Sequence, residues 1–330
     1  MLSGYNLDVV QSGQGLAHAG VSYLMNPTWN EAGGGLYAPI STTFTLPSCT
    51  AIDFSRLYLD IWGGMPTNTA TVAVSVNGTQ LAPISIGGTS DANPTYNAAT
   101  TCVYGSGYGT WQLAVPVSDS LLYTNGAANA VTWTVNDPTG MFDGRTYSAS
   151  LVTVYTSPSL NQTLDYDLAE ADGTMRNTPG ATGAPSSRTL TITGVNTANV
   201  TSATYYAGYT FGLTGEYNSL SFNGTALGNP TNDVAQGSNA NYGPSVVSSD
   251  VTSFLSGTNT VQYSVAMPGG EALLQANIGL LEVTHPMATP EPGTLTLLAV
   301  GGFVLLAWRR TRMNRALRTI SASPTSRRTT

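Results

Sequence analysis

The sequence predicts an all-β chain: two tandem β-sandwich domains of jelly-roll type, arising from an internal duplication, followed by a single hydrophobic C-terminal helix. Three observations carry that expectation. Helical periodicity is nearly absent before residue 290, short β-branched and aromatic runs broken by Gly, Asn, Pro and Ser recur throughout, and those runs are written twice. Of the 330 residues about 287 precede the tail, more than one small domain needs. The expected domains are residues 1–160, 161–286 and a tail over 287–330.

The first copy opens its clear pattern at Thr43-Phe44-Thr45-Leu46, which lines up with Thr189-Leu190-Thr191-Ile192 at an offset of 146. The same offset, without a gap, carries Leu57, Leu59 and Ile61 onto Ala203, Tyr205 and Ala207. It also carries Val74-Ser75-Val76-Asn77-Gly78-Thr79 onto Leu220-Ser221-Phe222-Asn223-Gly224-Thr225. Asn-Gly between alternating strands predicts a hairpin in each copy, because both central residues of a type I′ turn need positive φ. Beyond the hairpin the offset falls to 130, where Asn129 to Val135 matches Asn259 to Val265. The first copy therefore holds sixteen extra residues, around Asp91 to Tyr108. Late strands follow at Ala149 to Tyr155 and at Ala276 to Val283, with the joint near Pro158 and a loop at Asn177 to Ser187. A propeller would need more and shorter repeats; two sandwiches suit this spacing.

The tail has a different design. Pro290-Glu291-Pro292 precedes an apolar run that includes Leu295, Leu297, Leu298, Val300, Phe303, Val304, Leu305, Leu306 and Trp308, and then Arg309 and Arg310 with Arg312, Arg315 and Arg318. The 14 residues from Leu295 to Trp308 would span roughly 21 Å as a helix, short of a ~30 Å bilayer core, so they read as a weak or temporary span. The arginines stay cytoplasmic and everything before Pro290 is exported. This tail resembles the PEP-CTERM sorting signal of bacteria. The resemblance implies processing by an exosortase, a membrane-embedded transpeptidase, and delivery to the cell surface; an ordinary tail anchor is the alternative. Met1 to Gly20 carries neither the basic nor the apolar region of a signal peptide, so the expectation is a true start further upstream.

Charge divides with the parts. The eleven basic residues are all arginine, and only Arg56, Arg145, Arg176 and Arg188 lie before the anchor; with all eighteen acids at or before Glu291, the chain up to Glu291 carries −14 and the arginines after it +7. An acidic ectodomain repels nucleic acid and anionic lipid, which leaves polysaccharide, divalent ions or other proteins as partners. Cys49 and Cys102 are the only cysteines. An exported even pair reads as a disulfide, here pinning the extra segment, against the alternative of two separate buried thiols.

No Gly-x-Ser-x-Gly elbow, Walker loop, Cys-x-x-Cys or His-Glu-x-x-His occurs. Gly105-Ser106-Gly107-Tyr108-Gly109 reads as a flexible loop, and His18 and His285 have no acid beside them in sequence. The densest acids are Asp165, Asp167, Glu170 and Asp172; two on one strand face, with Asp172, could hold Ca²⁺, or they could be the charged solvent face of an edge strand. Asp137, Asp143 and Gly144 form a second acidic loop, read as turn chemistry. Tyr205, Tyr206, Tyr209 and Tyr217 could stack on sugar rings, whereas Trp62, Trp111 and Trp133 read as core.

The layout of two sandwich copies, with Asn136-Asp137 to Phe142-Asp143-Gly144-Arg145-Thr146-Tyr147 leading into Leu151-Val152-Thr153-Val154-Tyr155 and Pro158-Ser159, resembles the DUF3344 domain of surface and extracellular proteins. That family implies a fold and a location and has no agreed activity. The functional expectation is a non-enzymatic surface or matrix protein without a cofactor, associated with exopolysaccharide. A carbohydrate-active enzyme using acids near Asp165 or Asp143, and a Ca²⁺-dependent glycan-binding module, are the rival readings.

Overall fold

The computed structural model describes residues 7–28, 38–88, 97–105, 109–137, 139–177, 186–210, 217–228, 245–266, 272–287 and 308–309. The chain divides into a compact unit, Met1–Pro286, and a second unit, Met287–Thr330. The strands of the first unit are β1 (Asp8–Ala17), β2 (Ala19–Pro27), β3 (Ile40–Thr45), β4 (Ala51–Trp62), β5 (Thr69–Val76), β6 (Thr79–Gln80), β7 (Ile84–Gly87), β8 (Cys102–Gly105), β9 (Thr110–Pro116), β10 (Ala128–Asn136) and β11 (Arg145–Thr156). They continue as β12 (Gln162–Asn177), β13 (Ser187–Thr193), β14 (Ser202–Thr210), β15 (Tyr217–Phe222), β16 (Thr225–Gly228), β17 (Ser245–Asp250), β18 (Thr258–Ala266) and β19 (Ala272–Pro286).

These strands form four antiparallel sheets. One pair is β3-β10-β5-β6, with β7 beside β5, and β2-β11-β4-β9-β8; the other is β13-β18-β15-β16 and β1-β12-β19-β14-β17. The order β2-β11-β4-β9 is repeated as β12-β19-β14-β17, and β3-β10-β5-β6 as β13-β18-β15-β16. Each pair encloses an apolar core: Leu57, Leu59, Ile61 and Trp133 in one, Tyr205, Ala207, Phe222 and Tyr263 in the other. A third core, with Tyr58, Val152, Leu168 and Leu280, lies between the two larger sheets. The sheets thus stack in four layers. Strand β1 joins the sheet of β12, with Asp8 opposite Glu170 and Ala17 opposite Thr163.

The Asn-Gly hairpins form as the sequence predicts. Asn77 and Gly78 adopt φ of 48° and 82°, and Asn223 and Gly224 adopt 49° and 78°. Both asparagines then do the same second job. Asn77 donates to Leu121 O and Asn129 Oδ1 and accepts from Ala130 N; Asn223 donates to Phe254 O and Asn259 Oδ1 and accepts from Thr260 N.

The expected disulfide is corrected: Cys49 and Cys102 are not bonded to each other. They face different cores. Cys49 sits before β4 and packs against the Leu57 core, whereas Cys102 opens β8 and is buried in the middle core, its sulfur directed at Asn97 O and Thr100 O. Among the described residues no helix is long and apolar enough to cross a membrane. The expected span lies outside the described residues except for Trp308 and Arg309, which are helical and exposed; Pro290, Glu291 and Pro292 also lie outside them.

Candidate functional site

Strand β12 carries the densest acids, and the alternation of its residues decides where each one points. Leu164, Tyr166 and Leu168 face the middle core, so Asp165 and Asp167 share the opposite face, as expected from strand alternation. Asp165 clamps the N-terminal strand: its Oδ1 accepts from Gly15 N at 2.6 Å, and its Oδ2 lies 3.1 Å from His285 Nε2. His285 reaches Ala198 O through Nδ1 at 2.9 Å, so the acidic neighbour that the linear sequence hides is supplied by the fold. Asp167 is partly covered, and burial, then Asp165, pushes its carboxyl up to about 6. Asp172 points the other way, toward β9, and accepts from Thr110 Oγ1 at 3.1 Å and Thr174 Oγ1 at 2.9 Å. The three metal candidates therefore do not converge. Among the described residues no group of three or more His, Cys, Asp or Glu could hold a metal ion.

Glu170 enters the middle layer with no side-chain exposure, against the equally buried Arg56. Arg56 reaches it through Nε and through Nη2 at 3.0 Å, while the hydroxyls of Tyr58 and Tyr104 donate to it at 2.7 and 2.8 Å. Arg56 Nη1 donates to Ala98 O at 2.8 Å and Thr100 O at 3.0 Å. Burial, then the Glu170 charge, pushes both tyrosine hydroxyls upward. A second acid, Asp60, accepts from Ser148 Oγ and from Asn277 Nδ2 at 2.7 Å, the latter across the sheet interface. Burial pushes its carboxyl up to about 7, opposed by those two donors. These acids join sheets; none opens to solvent.

The second acidic loop is turn chemistry. Asp137 accepts from Thr139 N at 2.7 Å, Thr139 Oγ1 at 2.6 Å and Phe142 N at 2.6 Å. Against the upward push of burial, the Phe142, Thr139 and Met141 donors hold its carboxyl down to about 2. Asp143 pairs with Arg145, through Nη2 at 2.7 Å. Among the described side chains the tyrosines build no surface platform either, and the side chain of Tyr217 lies outside them. Tyr205 and Tyr209 are fully buried, with Tyr205 bonded to Tyr263 at 2.7 Å, and Tyr206 turns to the middle layer and donates to Glu282 at 2.9 Å.

Among the described residues an open groove of about 310 Å³ is an accessible candidate, lined by Ile52, Asp53, Phe54 and Ser55 of β4, Pro116 and Val117 at the exit of β9, Ala98 and Asp119. Its walls are sewn together. Ser55 Oγ donates to Val117 O at 2.8 Å and Val117 N returns a bond to Ser55 O, while Ala98 is held from behind by Arg56. The sequence signal was faint, since Asp53 and Asp119 stand 66 positions apart and neither lies in a motif.

Four stacked antiparallel sheets, acids engaged inside them and one shallow cleft define a β-sandwich-like protein. Residues 6–284 match DUF3344, protein of unknown function, and the chain belongs to that family. Residues 288–311 match the PEP-CTERM protein-sorting motif, which marks an exported protein sorted to the cell surface by an exosortase. No curated protein matches the chain. Likeness to solved structures is slight. BuGH86 in complex with neoagarooctaose is 12% identical over 83% of this chain and 35% of that one, with a TM-score of 0.27. Dimeric latent PorU from Porphyromonas gingivalis is 11% identical over 82% and 20%, with a TM-score of 0.26. The CUB1-EGF-CUB2 domain of human MASP-1/3 is 11% identical over 80% and 99%, with a TM-score of 0.20. The chain spans about a third of the length of the first of these.

Proposed function

We propose that this chain is a non-enzymatic cell-surface or extracellular-matrix protein, made of two copies of one β-sandwich and associated with exopolysaccharide. The sorting motif at residues 288–311, directly behind an acidic all-β ectodomain, is the observation that carries this reading. The engagement of the acids supports it. Asp165 holds β1 and His285, and Asp143 holds Arg145, so the two acids that an enzyme reading would use are tied to structural partners. The repeated strand order and the matching Asn77 and Asn223 bonds support the duplication.

The exosortase acts at the Pro290-Glu291-Pro292 segment and the membrane contact is through the apolar run after it. The exported protein, incubated with the host's own exopolysaccharide, retains the polymer in a pull-down and releases no reducing ends. Turnover of the polymer, or no retention of it, overturns this reading.

A further inference from the structure

Resting on the reading of the chain as a glycan-associated surface protein, we propose that the groove beside Asp53 and Asp119 binds an amino sugar, a saccharide ring carrying a free ammonium group. Each carboxylate has one oxygen engaged and one open. Asp53 Oδ2 accepts from Thr156 Oγ1 at 2.7 Å, and Asp119 Oδ1 accepts from Ser120 N at 2.7 Å and Ser118 Oγ at 3.2 Å. Among the described residues nothing donates to Asp53 Oδ1 or Asp119 Oδ2. Two fixed acceptors on a shallow cleft thus face solvent with negative charge.

Among the described residues no basic side chain lines the groove. The arginine behind the groove, Arg56, is engaged with the buried Glu170 and with the carbonyls of Ala98 and Thr100. The chain up to Glu291 carries −14, so an anionic ligand is repelled and a cationic one is drawn in. Beside the two acids and Ser55, whose hydroxyl is engaged with Val117 O, the lining is apolar: Ile52, the half-buried Phe54 ring, Ala98, Pro116 and Val117. A sugar ring offers the matching parts, a C–H face for the apolar wall and hydroxyl and ammonium donors for the carboxylates. A lone lysine stem would fill only part of about 310 Å³.

The groove also belongs to one half of the molecule. At the offset of 146 the residue matching Asp53 is Asn199, and the 3-10 turn Thr252–Phe254, which matches Asp119–Leu121, holds no acid. Ala98 comes from the segment that only the first half possesses. A wall built by an insertion, together with charges absent from the counterpart, separates this cleft from the features that the repeated fold requires.

The test uses the exported protein with two probes, a glucosamine hexamer with free amines and its fully N-acetylated counterpart. The expected result is that the amine form binds at least roughly tenfold more tightly, that salt weakens it, and that Asp53→Asn/Asp119→Asn reduces it by roughly tenfold or more. Asparagine retains a carbonyl acceptor for Thr156 and Ser120, so the variant keeps the internal bonds; an unchanged thermal midpoint checks that, and the single Asp53→Asn variant serves if the double one unfolds. Equal binding of the two hexamers, no binding, or an unaffected variant overturns the assignment. Retention on the host exopolysaccharide separates the two levels: if wild type and variant are retained alike the groove assignment fails alone, and if neither is retained the surface reading fails while amine-hexamer binding stands or falls by itself.

Discussion

Glu170 and Arg56 hold opposite charges at full burial, so removing either strands the other away from water. Truncating one member of such a pair costs roughly 3–5 kcal/mol, whereas replacing both with apolar groups of similar volume is often neutral. Glu170→Gln is therefore expected to lower unfolding free energy in urea by that amount, and Arg56→Met/Glu170→Met to recover most of it. A pair of equal losses would instead mean that the tyrosine bonds dominate. Asp60 makes a pH prediction. Its carboxyl ionises near 3.8 when unfolded and near 7 when folded, because burial penalises the charge. Between those values the folded state holds a proton that the unfolded state has lost, so stability is full below about pH 4, falls as pH rises, and levels above about 7. The loss amounts to roughly 2–4 kcal/mol. Asp60→Asn keeps an acceptor for Asn277 and gives Ser148 a donor; it should flatten this slope and stabilise the protein at pH 8. A slope unchanged by the substitution would assign the titration elsewhere.

Strands and hairpins were legible in the sequence because their rules are local. Asn-Gly demands positive φ wherever it falls, and Asn77 and Asn223 adopt it at corresponding hairpins. The polar face of β4 was not legible. By alternation Arg56, Tyr58 and Asp60 read as the solvent side of a strand whose other side is Leu57, Leu59 and Ile61; a second sheet covers them, and only packing between sheets reveals that. The same blindness hid the pairing of Asp165 with His285, 120 residues apart, and made a disulfide of two cysteines that stand on opposite faces of one sheet. Two predictions belong to this scale. Denaturing alkylation of the exported protein followed by intact-mass measurement should find both Cys49 and Cys102 labelled without reduction; an unlabelled pair would restore the bridge. Asn77→Ala and Asn223→Ala each remove two donated bonds and the tolerance of positive φ, so each should cost about 1–2 kcal/mol in urea unfolding. A large difference between them would argue against equivalent roles.

For the whole molecule, charge and address act together. The chain up to Glu291 carries −14 and the arginines after it +7, and the order of Pro290-Glu291-Pro292, apolar run and arginines was readable because it depends on composition alone. The groove was not readable, since it is assembled from β4, the exit of β9 and an inserted segment that meet only after folding. Sorting can be tested without reference to the groove. Pro290→Ala/Pro292→Ala alters the matched motif while leaving the apolar run and all seven tail arginines in place. Under the proposed sorting, membrane arrest rests on those unchanged parts and processing on the motif. The variant is therefore expected to accumulate as a full-length, membrane-retained form in fractionated cells, and wild type in a strain without exosortase should give the same form. Normal maturation in both cases would mean that the tail is an anchor and that the ectodomain reaches the surface by another route.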